Sequence, residues 1–241
     1  MLYFMEGVKI LFGKAKPLMV FKVESDPPSV YYNFRVKNNK VKELQKYLKL
    51  PKGFSMTKMK CLATDREPFY CLTLNIYRVS GLTNALRAEW DAYVRDPEGR
   101  DRYMVVEARS SQYSLDPVDI ITKKFRLEHA VNGNKIETFT TTASGSTFRA
   151  VCPAPAKGKH KLVETAKEWI QANDEIYWGN GIIDRVFYNR GMWCTDVYVI
   201  PVNTVTIEHE TQWTQFLEPV PEHVAVFPGS IEFVISPWWN V

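Results

Sequence analysis

Long apolar runs are missing from this chain. No stretch approaches the ~20 consecutive apolar residues that a membrane-spanning helix needs, so no span is expected. The opening stretch, MLYFMEGVKILFGKAKPLMVF, is apolar only in patches cut by Glu6, Lys9, Lys14 and Lys16, which is not the pattern of a secretory leader. Cysteine is scarce: Cys61, Cys71, Cys152 and Cys194 show no CxxC spacing. Cys61 and Cys71 could face each other across a hairpin turning at Asp65–Glu67. Unpaired cysteine is among the most buried residue types, however, so both read as packed, reduced thiols of a cytoplasmic protein. The four histidines, His129, His160, His209 and His223, lack metal-ligand spacing. His209 shares a face with Val205 and Ile207 and reads as a packed or edge residue. Glycine is thin as well, and no Gly-rich phosphate loop, GxSxG elbow or dinucleotide fingerprint occurs. Neither a metal nor an organic cofactor is expected.

An excess of one charge is also lacking. The net charge of +4 does not argue for a nucleic-acid partner. One local exception runs from Arg35 to Lys60, with nine Lys or Arg against a single acid, Glu43. It reads as the solvated face of a short helix, with a nucleic-acid or anionic-membrane patch as the alternative.

What is present is strand. With 241 residues and 45% hydrophobic content, the chain can bury one sizeable core without staples. Period-two alternation rich in Val, Ile, Thr, Tyr and Phe marks strands at Leu18–Val23, Val30–Val36, Ser55–Ala63, Tyr70–Val79, Leu86–Arg95, Arg102–Ser110, Phe125–Ala130, Lys135–Thr142 and Thr147–Cys152. Later candidates are Ile182–Tyr188, Trp193–Ile200, Thr204–Glu210 and Ile231–Ser236. Asn132-Gly133 signals a hairpin turn. Two helices are expected: Val41–Leu48, and Leu162–Ile176 with Leu162, Ala166, Trp169 and Ile170 on one face. VCPAPAKGKHK reads as an exposed connection, and Trp238-Trp239 suggests a tail packed against another subunit of a homo-oligomer. The reading is a single α+β domain over 1–241, mostly antiparallel, closed into a barrel or cone with a few flanking helices.

One strand pair carries unusual charge. Asp96-Pro97-Glu98-Gly99 suits a type I turn followed by a left-handed glycine, and it pairs Tyr93 with Tyr103, Glu89 with Glu107 and Arg87 with Arg109. Arg87, Glu89, Asp91 and Tyr93 then share a face with Tyr103, Val105, Glu107 and Arg109. Like charges sit opposite one another, but each Arg lies diagonal to a Glu, within reach of long side chains. A solvated outer face is the plain reading. Inside a barrel mouth, the same quartet offers guanidinium forks for a carboxylate or carbonyl oxygen and carboxylates able to move a proton.

The order of features resembles the acetoacetate decarboxylase-like superfamily over most of the chain. A short helix closes on Leu48 and Pro51 in KYLKLP. An Arg ends the second hairpin strand in VVEARSSQYS, and a loop with Tyr113 follows. Then come the hairpin LEHAVNGNKIETFTTTAS, a helix, and the late segments DRVFYN and VNTVTIEHETQW. The resemblance implies a barrel or cone with a polar pocket for a small molecule. In the decarboxylases the loop after that strand carries a lysine that forms a Schiff base with the keto acid, next to a second lysine that depresses its pKa. Counting on from Arg109 through Tyr113, those positions fall on Leu115 and Asp116, and neither can form an imine. Lys123 and Lys124 are adjacent but eight residues late. They read as a solvated pair, with a relocated nucleophile as the alternative.

The resemblance implies that Arg109 orients an anionic or carbonyl group, with Tyr113 at the pocket's edge; the hairpin pattern itself adds Arg87, Tyr93 and Tyr103 as further binding residues. Glu107 and Glu89 are then the acid–base candidates. The expectation is a lyase-, dehydratase-, isomerase- or cyclase-type enzyme acting on a keto- or hydroxy-acid-like compound without a Schiff base. A non-catalytic barrel binding a small hydrophobic ligand is the alternative.

Overall fold

β-branched and aromatic residues, alternating with polar ones, dictate strands through nearly the whole chain. The computed structural model describes residues 19–62, 64–80, 84–112, 125–156, 161–164, 174–178, 186–192 and 196–235. Its strands are β1 Met19–Val23, β2 Ser29–Arg35, β3 Ser55–Met56, β4 Lys58–Met59, β5 Phe69–Ser80, β6 Ala85–Arg95, β7 Asp101–Ser110, β8 Phe125–Asn132 and β9 Lys135–Thr142. They continue with β10 Thr147–Pro153, β11 Lys161–Glu164, β12 Asp174–Trp178, β13 Val186–Met192, β14 Asp196–Ile200, β15 Thr206–Glu210, β16 His223–Phe227 and β17 Ile231–Ile235.

Among the described residues the one α-helix is α1, Val41–Leu48. Leu44 and Leu48, four apart, bury one stripe, and Lys49 ends the helix in the left-handed region at φ 48°.

The larger sheet follows the order β11-β14-β16-β2-β5-β1-β17-β13-β12-β7-β6-β3, with β4 beside β5 and a further pairing of β5 with β6. Its pairings are antiparallel except that of β12 with β7. The smaller sheet runs β15-β10-β9-β8.

The expected helix over Leu162–Ile176 is not formed at its ends. Lys161–Glu164 pairs with β14, Leu162 opposite Tyr198, and Asp174–Trp178 lies between β13 and β7. Backbone ladders offered by neighbouring strands outweigh a helical spacing of four apolar residues, as tertiary context commonly does. At the β8–β9 hairpin the two loop residues are Gly133 and Asn134, since Asn132 pairs with Lys135, and only Gly133 takes a positive φ, 61°. The turn begins one residue later than expected.

Each strand of the smaller sheet hides alternate residues. Leu127 and His129 of β8, Ile136, Thr138 and Thr140 of β9, and Phe148, Ala150 and Cys152 of β10 face inward, while Glu128, Glu137 and Arg149 are exposed. The inward face packs on one side of β2, β5, β6 and β7, where Tyr32, Phe34, Leu72, Leu74, Ile76, Trp90, Ala92, Met104 and Val106 complete the main core. Tyr32 and Phe148 meet edge-on with ring centroids 5.1 Å apart. Each such fully buried aromatic contributes about 1.5–3 kcal/mol of transfer free energy.

Strands β5 and β6 are buried on both faces. The side turned away from the smaller sheet carries Cys71, Thr73, Asn75 and Tyr77 of β5, with Arg87, Glu89, Asp91 and Tyr93 of β6. That polar side is where the chemistry can lie.

Candidate functional site

The hairpin between β6 and β7 is set by its aspartate. Asp96 Oδ1 accepts from the backbone N–H of Glu98 at 3.0 Å and of Arg100 at 2.8 Å, and Oδ2 accepts from Arg100 Nε at 2.8 Å and Arg102 Nε at 2.9 Å. Burial alone would raise the Asp96 pKa, but these hydrogen bonds outweigh it and hold the carboxyl at about 2. Gly99 takes φ 81°, which a residue with a Cβ rarely adopts. From this turn the pairing runs as the sequence implies, Tyr93 opposite Tyr103 and Asp91 opposite Val105.

Beyond Val105 the register shifts. Trp90 faces Glu107, so Val106 is an extra residue, a β-bulge. Glu89 then lies opposite Ala108, and Arg87 opposite Ser110. The expected pairs Glu89–Glu107 and Arg87–Arg109 do not form, and the four charges divide between the two sides of the sheet. Because side chains alternate with period two, one inserted residue carries everything after it to the other face. The physical gain is visible in the sequence itself: the unbulged register would have set like charges directly opposite each other twice.

Arg87 and Glu89 stay on the side away from the smaller sheet. They form an ion pair through Arg87 Nε and Glu89 Oε1, with side chains only 4% and 2% exposed. Beside them Asn75 Nδ2 donates to Asp91 Oδ2 and, at 2.8 Å, to Tyr103 OH, whose hydroxyl lies 3.2 Å from Asn75 Oδ1 as donor. Thr73 Oγ1 donates to Asn33 Oδ1 at 2.8 Å. Among the described residues Asn33 Nδ2 meets no acceptor.

The rings of Tyr93 and Tyr103 meet at a tilt of 51°, with centroids 5.0 Å apart. Burial raises the pKa of both phenols far above the usual value; the next contributions are Cys61 and Cys71 for Tyr93 and Asp91 for Tyr103. Both phenols therefore keep their protons at neutral pH and can act as hydrogen-bond donors.

Glu107 and Arg109 lie on the other side, with Ala88 and Trp90, in a cavity of about 470 Å³ between the sheets. Glu107 Oε2 accepts from Gln212 Nε2 at 2.6 Å and from Trp213 Nε1 at 2.9 Å, and Glu107 Oε1 is 3.2 Å from Arg109 Nη2. Tyr113, Leu115, Asp116, Lys123 and Lys124 lie outside the described residues. Among the described residues no group of three His, Cys, Asp or Glu could hold a metal ion.

Asn75, Thr73 and Asn33 escaped the sequence reading although they sit at alternate positions of paired strands, a signal that only the strand register exposes. Gln212 and Trp213 approach Glu107 across more than a hundred residues and left no local signal.

No family model matches the chain, and no curated protein matches it. Among solved structures it is similar to an acetoacetate decarboxylase from Legionella pneumophila subsp. pneumophila str. Philadelphia 1, with 7% identity and a TM-score of 0.60 over 92% of this chain and 89% of that one. A second acetoacetate decarboxylase structure aligns with 11% identity and a TM-score of 0.53 over 91% and 88%. At such identities the likeness is one of fold.

Proposed function

We propose, with an acetoacetate decarboxylase-like fold as the premise, that the chain is a small-molecule enzyme acting on a keto- or hydroxy-acid-like compound by acid–base chemistry. One observation carries the reading: a nearly dry face gathers an Arg–Glu pair, a second carboxylate, two amides and two protonated phenols. Buried charge is costly, and clusters of buried titratable groups concentrate at functional sites.

In this reading Arg87 fixes the substrate's carboxylate and Glu89 takes the proton next to the carbonyl. Tyr93 or Tyr103 donates to the enolate oxygen as charge develops there. The enolate then expels a leaving group from the next carbon in an elimination, or is reprotonated at another carbon in an isomerisation. In a 3-oxo acid, loss of carbon dioxide reaches the same kind of enolate without the proton abstraction, the electrons of the breaking C–C bond flowing to the carbonyl. No imine is required, in keeping with Leu115 and Asp116 at the positions where the resemblance expects lysines.

Closure of the strands into a cone belongs to the same proposal. Its support is the β5–β6 pairing, which returns the path through β1, β17, β13, β12 and β7 to its own strand. A single domain working as a homo-oligomer in the cytoplasm is proposed with it; the buried free thiols Cys61, Cys71 and Cys152 favour a reducing compartment.

The test is proton exchange. In D2O the protein should speed deuterium uptake next to the carbonyl of at least one short 2-oxo or 3-oxo acid, read by NMR. Glu89→Gln should slow that uptake by about 10²-fold or more. Borohydride added to the same mixture should leave the protein mass unchanged. Exchange at the buffer rate across the panel would end the catalytic reading, and a trapped lysine adduct would end the imine-free one.

A further inference from the structure

The β-bulge leaves Glu107 and Arg109 outside the proposed catalytic face, in a cavity that face does not use. Its walls are of two kinds. Trp90, Phe125, Phe148 and Trp213 supply apolar surface, and Thr140, Thr142, Ser144, Ser146 and Thr211 supply hydroxyls. A volume of about 470 Å³ holds about fifteen water-sized groups at ~30 Å³ each. That is within the range of sites for small organic ligands.

The charge at its floor has a direction. Both Glu107 oxygens are already engaged, Oε2 by the Gln212 amide and the Trp213 indole, Oε1 by Arg109. The carboxylate therefore has little left to offer a cation or a donor. Arg109 is the reverse case. One Nη2 contact goes to Glu107 and Nη1 donates to the Ala108 carbonyl at 3.3 Å, while the side chain keeps 28% of its surface open. The rest of its fork is available to acceptor oxygens, and Glu107 holds it in place. Among the described residues no other lysine, arginine or acid lines the cavity.

We propose that the cavity between the two sheets is a second ligand site, taking a small carboxylate with an aromatic or branched apolar body. The carboxylate meets Arg109 and neighbouring hydroxyls; the body lies against Trp90, Trp213 and Phe148. The site is independent of the catalytic reading and stands or falls without it.

Titration with 3-phenylpropionate and with its neutral amide tests the assignment, followed by saturation-transfer NMR and tryptophan fluorescence. The carboxylate should bind saturably and the amide at least tenfold more weakly. Arg109→Gln should cost the carboxylate tenfold or more and leave the amide unchanged. Arg109→Lys, which keeps the charge but not the planar fork, should fall between and guards against a misfolded variant. Ala143→Trp, at an exposed turn on the rim, should exclude both ligands. Three results overturn the site. One is no saturable binding up to about 10 mM, an affinity weaker than ~2.7 kcal/mol. Another is binding insensitive to Arg109 and Ala143. The third is binding that answers to Tyr103→Phe instead, which would put the ligand on the opposite face.

Discussion

Acidification should unfold this protein partly through one histidine. His129 on β8 is 5% exposed, with Nδ1 2.8 Å from Thr138 Oγ1 and Nε2 2.9 Å from the Pro28 carbonyl. Both ring nitrogens are satisfied with a single proton, on Nε2. A second would have to enter a site that water cannot reach, and this burial lowers the pKa from 6.5 to about 4. The folded form thus binds fewer protons than the unfolded chain between those values.

Stability is full above pH 6.5 and is lost as the pH falls toward 4, with a limit of about 3 kcal/mol at 1.36 kcal/mol per unit. By pH 5 roughly 2 kcal/mol should be gone. Urea unfolding followed by tryptophan fluorescence at pH 7.5 and pH 5 measures it, with His129→Gln as the reference. The glutamine can keep the Pro28 hydrogen bond but cannot titrate. Other groups move with pH in both proteins, and His209, lowered chiefly by burial, moves in the same direction, so the difference between the two proteins is what counts. Parallel losses in wild type and variant would refute the argument.

Two further outcomes follow from the charged hairpin. Arg87→Met leaves Glu89 buried without its partner and should cost about 3–5 kcal/mol, whereas Arg87→Met with Glu89→Leu should recover most of that in urea melts; equal losses in both would show that the pair is not the source. Asp96→Asn weakens charged hydrogen bonds worth about 1.5–3 kcal/mol each. Because the Asp96 pKa is depressed to about 2 from 3.8, its contribution is present above pH 3.8 and fades as the pH falls through 2, so wild type and variant should converge in thermal melts at the acid end.

The β6–β7 hairpin was legible because its turn carries the chemistry: Asp96 with Gly99 fixed Tyr93 opposite Tyr103, and α1 occupies the expected Val41–Leu48. The bulge was not, because Met104, Val105 and Val106 are all apolar and give no sign of which belongs to which face. The available clue was energetic, namely the two like-charge pairs that an unbroken register demanded. β11 and β12 were hidden for a different reason: their pairing is with distant strands, and a helical spacing masked them. Of the four charges expected as one cluster, the register keeps Arg87 and Glu89 together on one side of the sheet and sets Glu107 and Arg109 on the other.

A single surplus residue in β7 also limits how this protein can change. Exchanging one amino acid for another alters the character of either compartment but cannot transfer Glu107 or Arg109 between them; only gaining or losing a codon there does so. The two sides of the sheet are thus free to drift apart under substitution, while remaining bound to a common strand whose length neither can alter alone.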